Sequence, residues 1–404
     1  MSLCVSVSDI RAAQVRLAEH LSPTPLRFSR LLSGRTGAKI FLKLENLQFT
    51  ASFKERGALN RLLQLSGAER ERGVCAVSDG NHGLAVAYHA HRLGIPATIV
   101  MAQHTPFIKV EHTQEHGARL VLLGETLQEA YQHARQISSS EGLTFIHPYD
   151  DPTIIAGQGT TALEMLSSTP GLDTLVVQIG GGGLISGVAV AAKALSPDIR
   201  IIGVQAVSHP SMLAALRGES AVYRADTIGE GIAAKSAGTL TQQIIRALVD
   251  EIVLVGEAGM EHGVGLLLNH EKTVTEGAGA AGLAAVLAYP DRFQGRNVGL
   301  ILSGGNIDPR LLASVIMREL VREQRIVTMR IPIADKPGAL SAVTRVVAEE
   351  GGNVLDIFHK KLSTEATARS ATLELSLEAL DQQHAHRIIM KMHEAGFEVT
   401  VVPP

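Results

Sequence analysis

A single lysine occupies a position where its amine could do covalent chemistry. Lys54 lies in the run Ser-Phe-Lys-Glu-Arg-Gly at residues 52–57, where a turn leads into a predicted helix. Partial removal from water and the positive end of a helix both favour loss of the ammonium proton. A neutral lysine amine can form a Schiff base with an aldehyde. Lys54 is therefore a candidate for Schiff-base chemistry, and the alternative is a solvated lysine on a helix face.

Four consecutive glycines separate an apolar run from a predicted helix. They are Gly180, Gly181, Gly182 and Gly183. Without Cβ atoms, successive backbone N–H groups can converge on an anion, and the helix dipole assists. The surrounding residues lack both the acidic residue of a dinucleotide fingerprint and the Gly-Lys-Ser/Thr of a triphosphate loop. The pattern predicts a phosphate cradle, with a tight packing turn as the alternative.

Two further polar runs follow apolar strands. In the first, at residues 78–83, Ser78 and the N–H groups of a new helix suit a carboxylate, and Asn81 can donate to a phenolic oxygen. In the second, Ser303 precedes two glycines and could hydrogen-bond a heterocycle nitrogen. For either run, an ordinary helix cap or turn is the alternative.

Alternating strands and helices must position these residues. The predicted strands lie at 40–44, 74–77, 97–101, 119–122, 175–179, 201–205, 252–255 and 298–302. The predicted helices lie at 53–65, 81–93, 127–137, 183–195, 259–269 and 309–322. Such alternation predicts an α/β fold of parallel sheets covered by helices, with ligands at the carboxyl ends of the strands. The candidate residues follow those strand ends.

The pattern changes near residue 325. A strand at 325–333, a helix ending near residue 350, strands at 353–361 and 371–377, a helix at 381–394 and a strand at 397–402 form a βαββαβ order. This order predicts a small α+β domain. We therefore expect a domain at 1–324, with a small lobe at about 50–147, and a second domain at 325–404.

Composition narrows the classes of partner. The 404 residues include 39 glycines and no tryptophan, 45% are hydrophobic, and the net charge is −3. No long basic block or apolar span suggests nucleic acid or a membrane. Two cysteines cannot form a disulfide framework, so we expect a cytoplasmic protein.

Taken together and in this order, the four motifs resemble the fold-type II pyridoxal-phosphate enzymes, and most closely threonine dehydratase and serine racemase. The resemblance covers residues 5–322 and implies a two-lobed parallel-sheet domain that binds pyridoxal 5′-phosphate. It implies that Lys54 holds the cofactor and removes the Cα proton, with Phe53 beside the cofactor. It also implies a phosphate site at the tetraglycine loop, Asn81 at the ring hydroxyl and Ser303 at the ring nitrogen. The family grips the substrate carboxylate at positions that match Ser52, Ser78, Asn81 and His82.

This assignment favours β-elimination. A serine hydroxyl does not keep the pyridine nitrogen protonated, so the ring withdraws electrons weakly and loss of a β-substituent competes well. We therefore expect an ammonia-lyase that converts L-threonine or L-serine to a 2-oxo acid and ammonia. A catalytically inactive amino-acid sensor is the alternative from another class, and the intact motifs argue against it.

Asp79 departs from the threonine dehydratase pattern. Serine racemase has a serine there, and diaminopropionate ammonia-lyase has an Asp-Gly-Asn-His-Gly motif similar to the one in this chain. Asp79 could therefore act as an acid or base on the face of Cα opposite Lys54. The alternative substrates are then 3-hydroxyaspartate, diaminopropionate or a D-amino acid, or the reaction is racemisation of serine. Alternatively, Asp79 only caps the helix at Asn81.

A second departure concerns metal ions. Serine racemase-like members hold a divalent ion through acidic residues after a strand, and the matching residues 204–211 contain no acid. We expect no divalent metal site, and a monovalent cation remains open.

The C-terminal residues 326–404 resemble an ACT domain. The resemblance is carried by the βαββαβ order, by Asp-Lys-Pro-Gly-Ala-Leu at 335–340 and by Gly-Asn-Val at 352–354. These domains usually pair through their sheets and bind small amino acids at the interface. The resemblance implies an amino-acid effector near Asp335, Gly338 and Asn353, and a homodimer or homotetramer. A dimerisation module without a ligand is the alternative.

Overall fold

Two compact units make up the chain. The computed structural model describes residues 3–224, 226–361 and 369–402. Unit 1 spans Met1–Asp308 and unit 2 spans Pro309–Pro404. The expected boundary at residue 324 lies beyond the helix Pro309–Arg322, which contacts the strand Ile326–Ala334 and groups with it in unit 2.

A six-stranded sheet forms the large lobe of unit 1. Its strands are β1 (Leu26–Ser29), β2 (Lys39–Lys43), β7 (Thr174–Gln178), β8 (Arg200–Ala206), β9 (Glu251–Val255) and β10 (Asn297–Ile301). The order is β1-β2-β10-β7-β8-β9, and every neighbouring pair except β1–β2 is parallel. All five residues of the central strand β7 are buried. Helices cover both faces of such a sheet, which explains the unbroken apolar run.

A smaller parallel sheet forms the second lobe. Its strands are β3 (Val74–Val77), β4 (Ala97–Met101), β5 (Arg119–Leu122) and β6 (Thr144–Phe145), in the order β5-β4-β3-β6. This sheet lies within the span predicted for the small lobe.

Helices connect these strands. They are α1 (Val7–Leu17), α2 (Arg30–Thr36), α3 (Lys54–Leu62), α4 (Gly67–Arg72), α5 (Asn81–Arg92), α6 (Phe107–Gln114), α7 (Leu127–Glu141), α8 (Pro152–Ser168), α9 (Gly183–Leu195), α10 (Ser211–Arg217), α11 (Thr239–Leu248), α12 (Glu257–Glu271) and α13 (Gly277–Ala288). Among the described residues, no helix combines the length and apolar character needed to cross a bilayer.

Local signals fix the helix α8, which connects β6 of the small lobe to β7 of the large lobe, and its packing against α9. Asp151 caps α8 by accepting from the backbone N–H groups of Thr153 and Ile154, and Pro152 occupies the first turn. Where α8 meets α9, a Cβ atom on Gly187 would lie 2.3 Å from the carbonyl oxygen of Ile155. Only glycine permits this close approach of the two helix backbones.

Unit 2 is an antiparallel sheet with helices. Its elements are α14 (Pro309–Arg322), β11 (Ile326–Ala334), α15 (Ala339–Glu349), β12 (Asn353–Lys360), β13 (Ser370–Glu378), α16 (Gln382–Glu394) and β14 (Thr400–Val401). The strand order is β12-β13-β11-β14. Buried residues alternate along β11 and β13, so one face of the sheet packs on the core. The predicted βαββαβ order is present.

Candidate active site

The predicted residues collect at the carboxyl ends of strands in both lobes. Lys54 begins α3, and Ser303 follows β10. The backbone N–H of Phe53 donates to the carbonyl oxygen of Ser303 at 3.0 Å, and Ser52 forms an isolated antiparallel bridge with Gly304. The motif that contains Lys54 and the motif that contains Ser303 therefore lie side by side.

The environment of Lys54 favours a neutral amine. Burial lowers the pKa of Lys54 to about 8, and the nearby carboxyl group of Glu276 opposes that shift. Its Nζ donates to the carbonyl oxygen of Pro148 at 2.7 Å and lies 5.4 Å from the centre of the Phe53 ring. An appreciable fraction of the amine is thus available as a nucleophile or base near neutral pH.

Hydrogen bonds fix the orientation of the Asn81 amide. Its Nδ2 donates to Oε1 of Glu276 at 2.8 Å, and its Oδ1 accepts from Nδ2 of Asn306 at 2.7 Å. Asn306 also donates to the carbonyl oxygen of Thr50 at 2.7 Å. The second hydrogen on Asn81 Nδ2 remains for another acceptor, such as a phenolic oxygen.

Glu276 is an ionisable group at this site to which the sequence analysis assigned no role. It precedes α13, and burial raises its pKa to about 7. A Cβ atom on Gly304 would lie 2.4 Å from its Oε1. Glu276 therefore adjoins both the turn after Ser303 and the amide of Asn81, and it changes charge near neutral pH.

The tetraglycine loop has unused backbone donors. Among the described residues, the N–H groups of Gly180, Gly181, Gly182 and Gly183 have no hydrogen-bond acceptor. Gly182 has a φ of 99°, which glycine adopts without strain, and α9 begins at Gly183. Free N–H groups at a helix N-terminus suit an anion.

Close packing also requires glycine in this loop. A Cβ atom on Gly181 would lie 2.4 Å from the ring of Tyr149, and one on Gly180 would lie 2.8 Å from the carbonyl oxygen of Gly231. Phosphate binding and tight packing, which the sequence analysis treated as alternatives, are compatible at this loop.

Ser303 has an unused hydroxyl group. Its side chain is 2% exposed, and its Oγ makes no hydrogen bond with the described residues. A hydroxyl group that has no partner among the described residues is suited to a bound group such as a ring nitrogen.

The residues expected to grip a carboxylate are also engaged locally. Ser52 Oγ accepts from the N–H of Lys54 at 3.3 Å, and Ser78 Oγ accepts from the N–H of Gly80 at 3.1 Å. His82 Nε2 contacts the carbonyl oxygen of Ile146 at 3.0 Å. Burial lowers the pKa of His82 to about 3, so the ring is neutral and Nε2 carries the donated hydrogen.

The simpler alternative for Asp79, a cap on the helix α5, is wrong. No side chain caps that helix. Instead, Asp79 Oδ1 accepts from the N–H of Ala102 at 3.1 Å and from Oγ1 of Thr105 at 3.0 Å. These bonds hold the loop after β4. Its Oδ2 accepts no hydrogen bond from the described residues.

The sequence analysis did not identify the loop at residues 146–151 as part of the site, although its Pro148 carbonyl oxygen accepts from Lys54. There the Nδ1 of His147 accepts from the N–H of Asp150 at 2.8 Å, and burial lowers the pKa of His147 to about 4. The preceding strand β6 has only two residues, which is too short for a period-two pattern. The polar run His-Pro-Tyr-Asp-Asp-Pro before a helix was the available signal.

Within one chain, the expected effector residues do not form one site. Asn353 pairs with Glu378, whereas Asp335 follows Ala334, which pairs with Ser370 at the other end of β13. At the usual rise per residue, these ends are about 25 Å apart. The chain runs back along α15, so β12 starts at the same end of the sheet as β11, on the other side of β13. The sequence analysis expected the effector at the interface of two paired domains, and a shared site for Asp335 and Asn353 at such an interface stays a prediction.

The C-terminal turn itself is well defined. Gly338 has a φ of 86° and precedes α15. Asp335 Oδ1 accepts from Nζ of Lys361 at 2.9 Å. Asn353 Nδ2 donates to Glu378 at 3.4 Å. Only Asp335 and Gly338 share an end of the sheet.

Metal-ligating side chains do not cluster in the described part of the chain. No group of three or more His, Cys, Asp or Glu residues there could hold one ion. The prediction that no divalent metal binds stays a prediction.

The site fits the cofactor that the motifs imply. Free amides at the tetraglycine loop could hold its phosphate, Lys54 its aldehyde carbon and Asn81 its ring hydroxyl. The unpartnered hydroxyl of Ser303 could meet the ring nitrogen. Each of these groups lacks a partner or keeps a free donor among the described residues.

Comparison with known families and structures agrees with this arrangement. The family model described as "Pyridoxal-phosphate dependent enzyme" matches residues 17–304. An L-threonine ammonia-lyase of Thermotoga maritima is 43% identical over 400 residues, which cover 98% of this chain and all of that protein.

Two solved structures are similar to the chain. The processed form of threonine deaminase isoform 2 from Solanum lycopersicum has a TM-score of 0.73 at 35% identity, over 77% of this chain and 86% of that one. Serine racemase from Dictyostelium discoideum has a TM-score of 0.71 at 32% identity, over 76% of this chain and 99% of that one.

Proposed function

The chain belongs to the pyridoxal-phosphate dependent enzymes, and we propose that it is an ammonia-lyase that converts L-threonine or L-serine to a 2-oxo acid and ammonia. The relative named L-threonine ammonia-lyase, which matches this chain over its whole length, supports an ammonia-lyase and L-threonine as its substrate. The observation that carries it is the juxtaposition of Lys54, with its lowered pKa, and the unused donors of Asn81 and Ser303 at one group of strand ends.

Each residue has a distinct role in this proposal. Lys54 would hold the cofactor through its amine and, when released, take the Cα proton of the substrate. The amides of Gly180, Gly181, Gly182 and Gly183 would hold the phosphate, and Phe53 would lie beside the cofactor. When bound, pyridoxal phosphate withdraws electrons from Cα and so lets the Cα proton and the β-substituent leave.

Ser303 favours elimination over reactions that need a long-lived negative charge at Cα. A serine hydroxyl can hydrogen-bond the ring nitrogen but is too weak an acid to keep it protonated. An aspartate at this position would hold the proton and strengthen electron withdrawal. The substrate carboxylate would lie near Ser52, Ser78, Asn81 and His82. His82 already donates to the carbonyl oxygen of Ile146. Ser52 and Ser78 only accept in their local bonds, so their O–H groups and the backbone N–H groups at the start of α5 are the available donors there.

A second candidate function is racemisation, or turnover of a D-configured or another β-substituted amino acid such as 3-hydroxyaspartate or diaminopropionate. Oδ2 of Asp79, which accepts no hydrogen bond from the described residues, favours it. Asp79 would then supply an acid or base on the face of Cα opposite Lys54. The similarity to a solved serine racemase is consistent with this candidate.

Unit 2 would act as an ACT regulatory domain. Its βαββαβ order supports this assignment. A branched amino acid such as isoleucine or valine would bind at the turn of Asp335 and Gly338. Because Asn353 lies at the opposite end of the sheet, its contribution would come from a second copy of the chain. Pairing of this kind implies a homodimer or homotetramer. With only two cysteines in the chain, we place the enzyme in the cytoplasm.

The test is an assay of 2-oxo acid and ammonia across both enantiomers of threonine, serine, 3-hydroxyaspartate and diaminopropionate. The expected result is release of both products from L-threonine or L-serine, from a protein with an absorption band at roughly 410–420 nm. Lys54→Ala should remove the band and the activity. Preference for a D-amino acid would favour the second candidate. A protein with the family fold but with neither band nor turnover would be an amino-acid sensor and would overturn the proposal.

A further inference from the structure

Thr241 contacts the tetraglycine loop from outside the glycine motif. It lies in the first turn of α11, and its side chain is completely buried. Its Oγ1 donates to the carbonyl oxygen of Gly181 at 2.7 Å. The N–H of Gly238 donates to the same oxygen at 3.3 Å. Two donors therefore hold this carbonyl group on the α11 side of the loop.

The direction of that carbonyl group determines the direction of the next amide. In a planar trans peptide the C=O and the following N–H point in opposite directions. Because the carbonyl of Gly181 points toward Thr241, the N–H of Gly182 points away from α11. Thr241 also packs against Gly182, where a Cβ atom would lie 2.8 Å from the Cβ of Thr241.

Asp150 holds Thr241 in place. Its Oδ1 accepts from the N–H groups of Leu240 at 2.9 Å and Thr241 at 3.1 Å, and its Oδ2 accepts from the N–H of Thr239 at 2.9 Å. A carboxylate that receives three N–H groups at a helix N-terminus is a strong cap. Asp150 follows Pro148 by two residues, and the carbonyl oxygen of Pro148 accepts from Lys54. One continuous set of contacts thus joins the Lys54 amine to the tetraglycine loop.

We propose that Thr241 is a positioning residue, which aligns the amides of the tetraglycine loop so that they bind phosphate. Asp150 holds Thr241 in place by capping α11. The ligand is the phosphate monoester of the bound cofactor. The inference rests on membership of the pyridoxal-phosphate family and not on which amino acid is the substrate.

The test compares two aldehydes that differ only in the phosphate. Apoenzyme carrying Thr241→Val, which keeps the shape of the side chain and removes its hydroxyl, is titrated with pyridoxal phosphate and with pyridoxal. The dissociation constant for pyridoxal phosphate should rise about tenfold, as expected for one weakened polar contact. The dissociation constant for pyridoxal should not change. The ³¹P resonance of the bound cofactor should shift or broaden, and Thr241→Ser should restore both readouts.

Thr36→Val is the matched control. Thr36 is a buried threonine whose hydroxyl also donates to a backbone carbonyl, that of Leu32 at 2.8 Å, on the helix α2. Its substitution should leave the affinity for both aldehydes unchanged. Equal weakening of both aldehydes by Thr241→Val, or an unchanged affinity and ³¹P resonance, would overturn the proposal. Neither readout uses a substrate, so failure of the ammonia-lyase proposal would leave this result independent.

Discussion

Asn81 Nδ2 donates to Glu276 Oε1 at 2.8 Å, and this bond joins the first turn of α5 in the small lobe to the N-terminus of α13. Because Asn81 Oδ1 accepts from Asn306, the amide has one orientation only. Glu276 also acts electrostatically on Lys54 and raises the pKa of that amine against the effect of burial. One carboxyl group therefore influences both the orientation of Asn81 and the charge of Lys54.

Glu276→Gln should separate these two effects. The glutamine carbonyl can still accept from Asn81, but the negative charge is gone. Without that charge the pKa of Lys54 should fall further below its present value of about 8. Since only the neutral amine attacks the aldehyde, the pH midpoint for cofactor incorporation into apoenzyme should move to lower pH.

Glu257→Gln provides the control for this measurement. Its carboxylate accepts from the N–H of Ile228 at 2.8 Å, in the same lobe, and the amide oxygen can replace it. The midpoint should stay where it is in the unsubstituted chain. A midpoint that moves to higher pH in Glu276→Gln would contradict the assigned electrostatics.

His82 should make stability depend on pH. Burial lowers the pKa of His82 to about 3 in the folded chain, from 6.5 for an exposed histidine. Between these values the unfolded chain binds the extra proton, so the stability is complete above pH 6.5 and is lost as pH falls. From pH 7.5 to 5.5, this one group should reduce the free energy of unfolding by about 1.4 kcal/mol.

His82→Gln tests this loss. Its amide can donate to the carbonyl oxygen of Ile146 but does not titrate. Denaturant unfolding at the two pH values should show a decrease that is smaller by about 1.4 kcal/mol in the variant. The same decrease in both proteins would show that His82 becomes charged within the folded chain.

Much of the fold was predictable because the strands of the parallel sheets are short and apolar. All eight strands predicted in unit 1 are present, and β3, β4 and β5 have the predicted bounds. Two strands were missed. β1 has only one buried residue and β6 has only two residues, so neither carries a recognisable period.

The site was predictable only where chemistry follows a strand end. Lys54, Asn81, the tetraglycine loop and Ser303 all follow such ends, and the structure brings them together. Thr241 and Asp150 carry no local motif, since their roles depend on contacts about 60 and 90 residues away in the chain. The separation of Asp335 and Asn353 within one chain was hidden for a similar reason. Sequence proximity to two turns did not show that α15 places those turns at opposite ends of the sheet.

Two substitutions separate the chemical role of Asp79 from its structural role. Asp79→Asn keeps an oxygen for the N–H of Ala102 and the hydroxyl of Thr105, but removes the carboxylate. Asp79→Ala removes both. If Asp79 acts as a second acid or base, Asp79→Asn should abolish racemisation and turnover of D-amino acids while sparing L-threonine elimination.

Asp79→Ala should in addition lower the thermal stability, because the loop after β4 loses its acceptor. Chiral chromatography of the products and thermal unfolding give the two readouts. If the Asp79→Asn variant turns over and racemises every stereoisomer as the unsubstituted chain does, Asp79 has a structural role only.

Gly181→Ala should show how tightly the loop is packed. The added Cβ would lie 2.4 Å from the Tyr149 ring, so the ring must move and lose its contact with Ser236. We expect the free energy of unfolding to fall by about 1–3 kcal/mol, the usual cost of overpacking. The double variant Gly181→Ala/Tyr149→Ala should lose less free energy of unfolding than the sum of the losses of the two single variants, because the added Cβ no longer meets the ring. Gly34→Ala, where no atom lies within 4 Å of the new Cβ, should show no such loss.

Asp335 and Asn353 should act in one effector site only when two chains pair. Either Asp335→Ala or Asn353→Ala alone should abolish calorimetric binding of isoleucine or valine, if the effector site is built as proposed. In a paired assembly, a mixture of the two variants forms mixed pairs in which one of the two sites has both residues intact. Such mixtures, unfolded and refolded together, should regain up to about a quarter of the binding sites of the unsubstituted protein. Mixtures that stay at zero while each single variant still pairs would contradict a shared site, and binding retained by Asn353→Ala would restrict the site to the turn of Asp335 and Gly338.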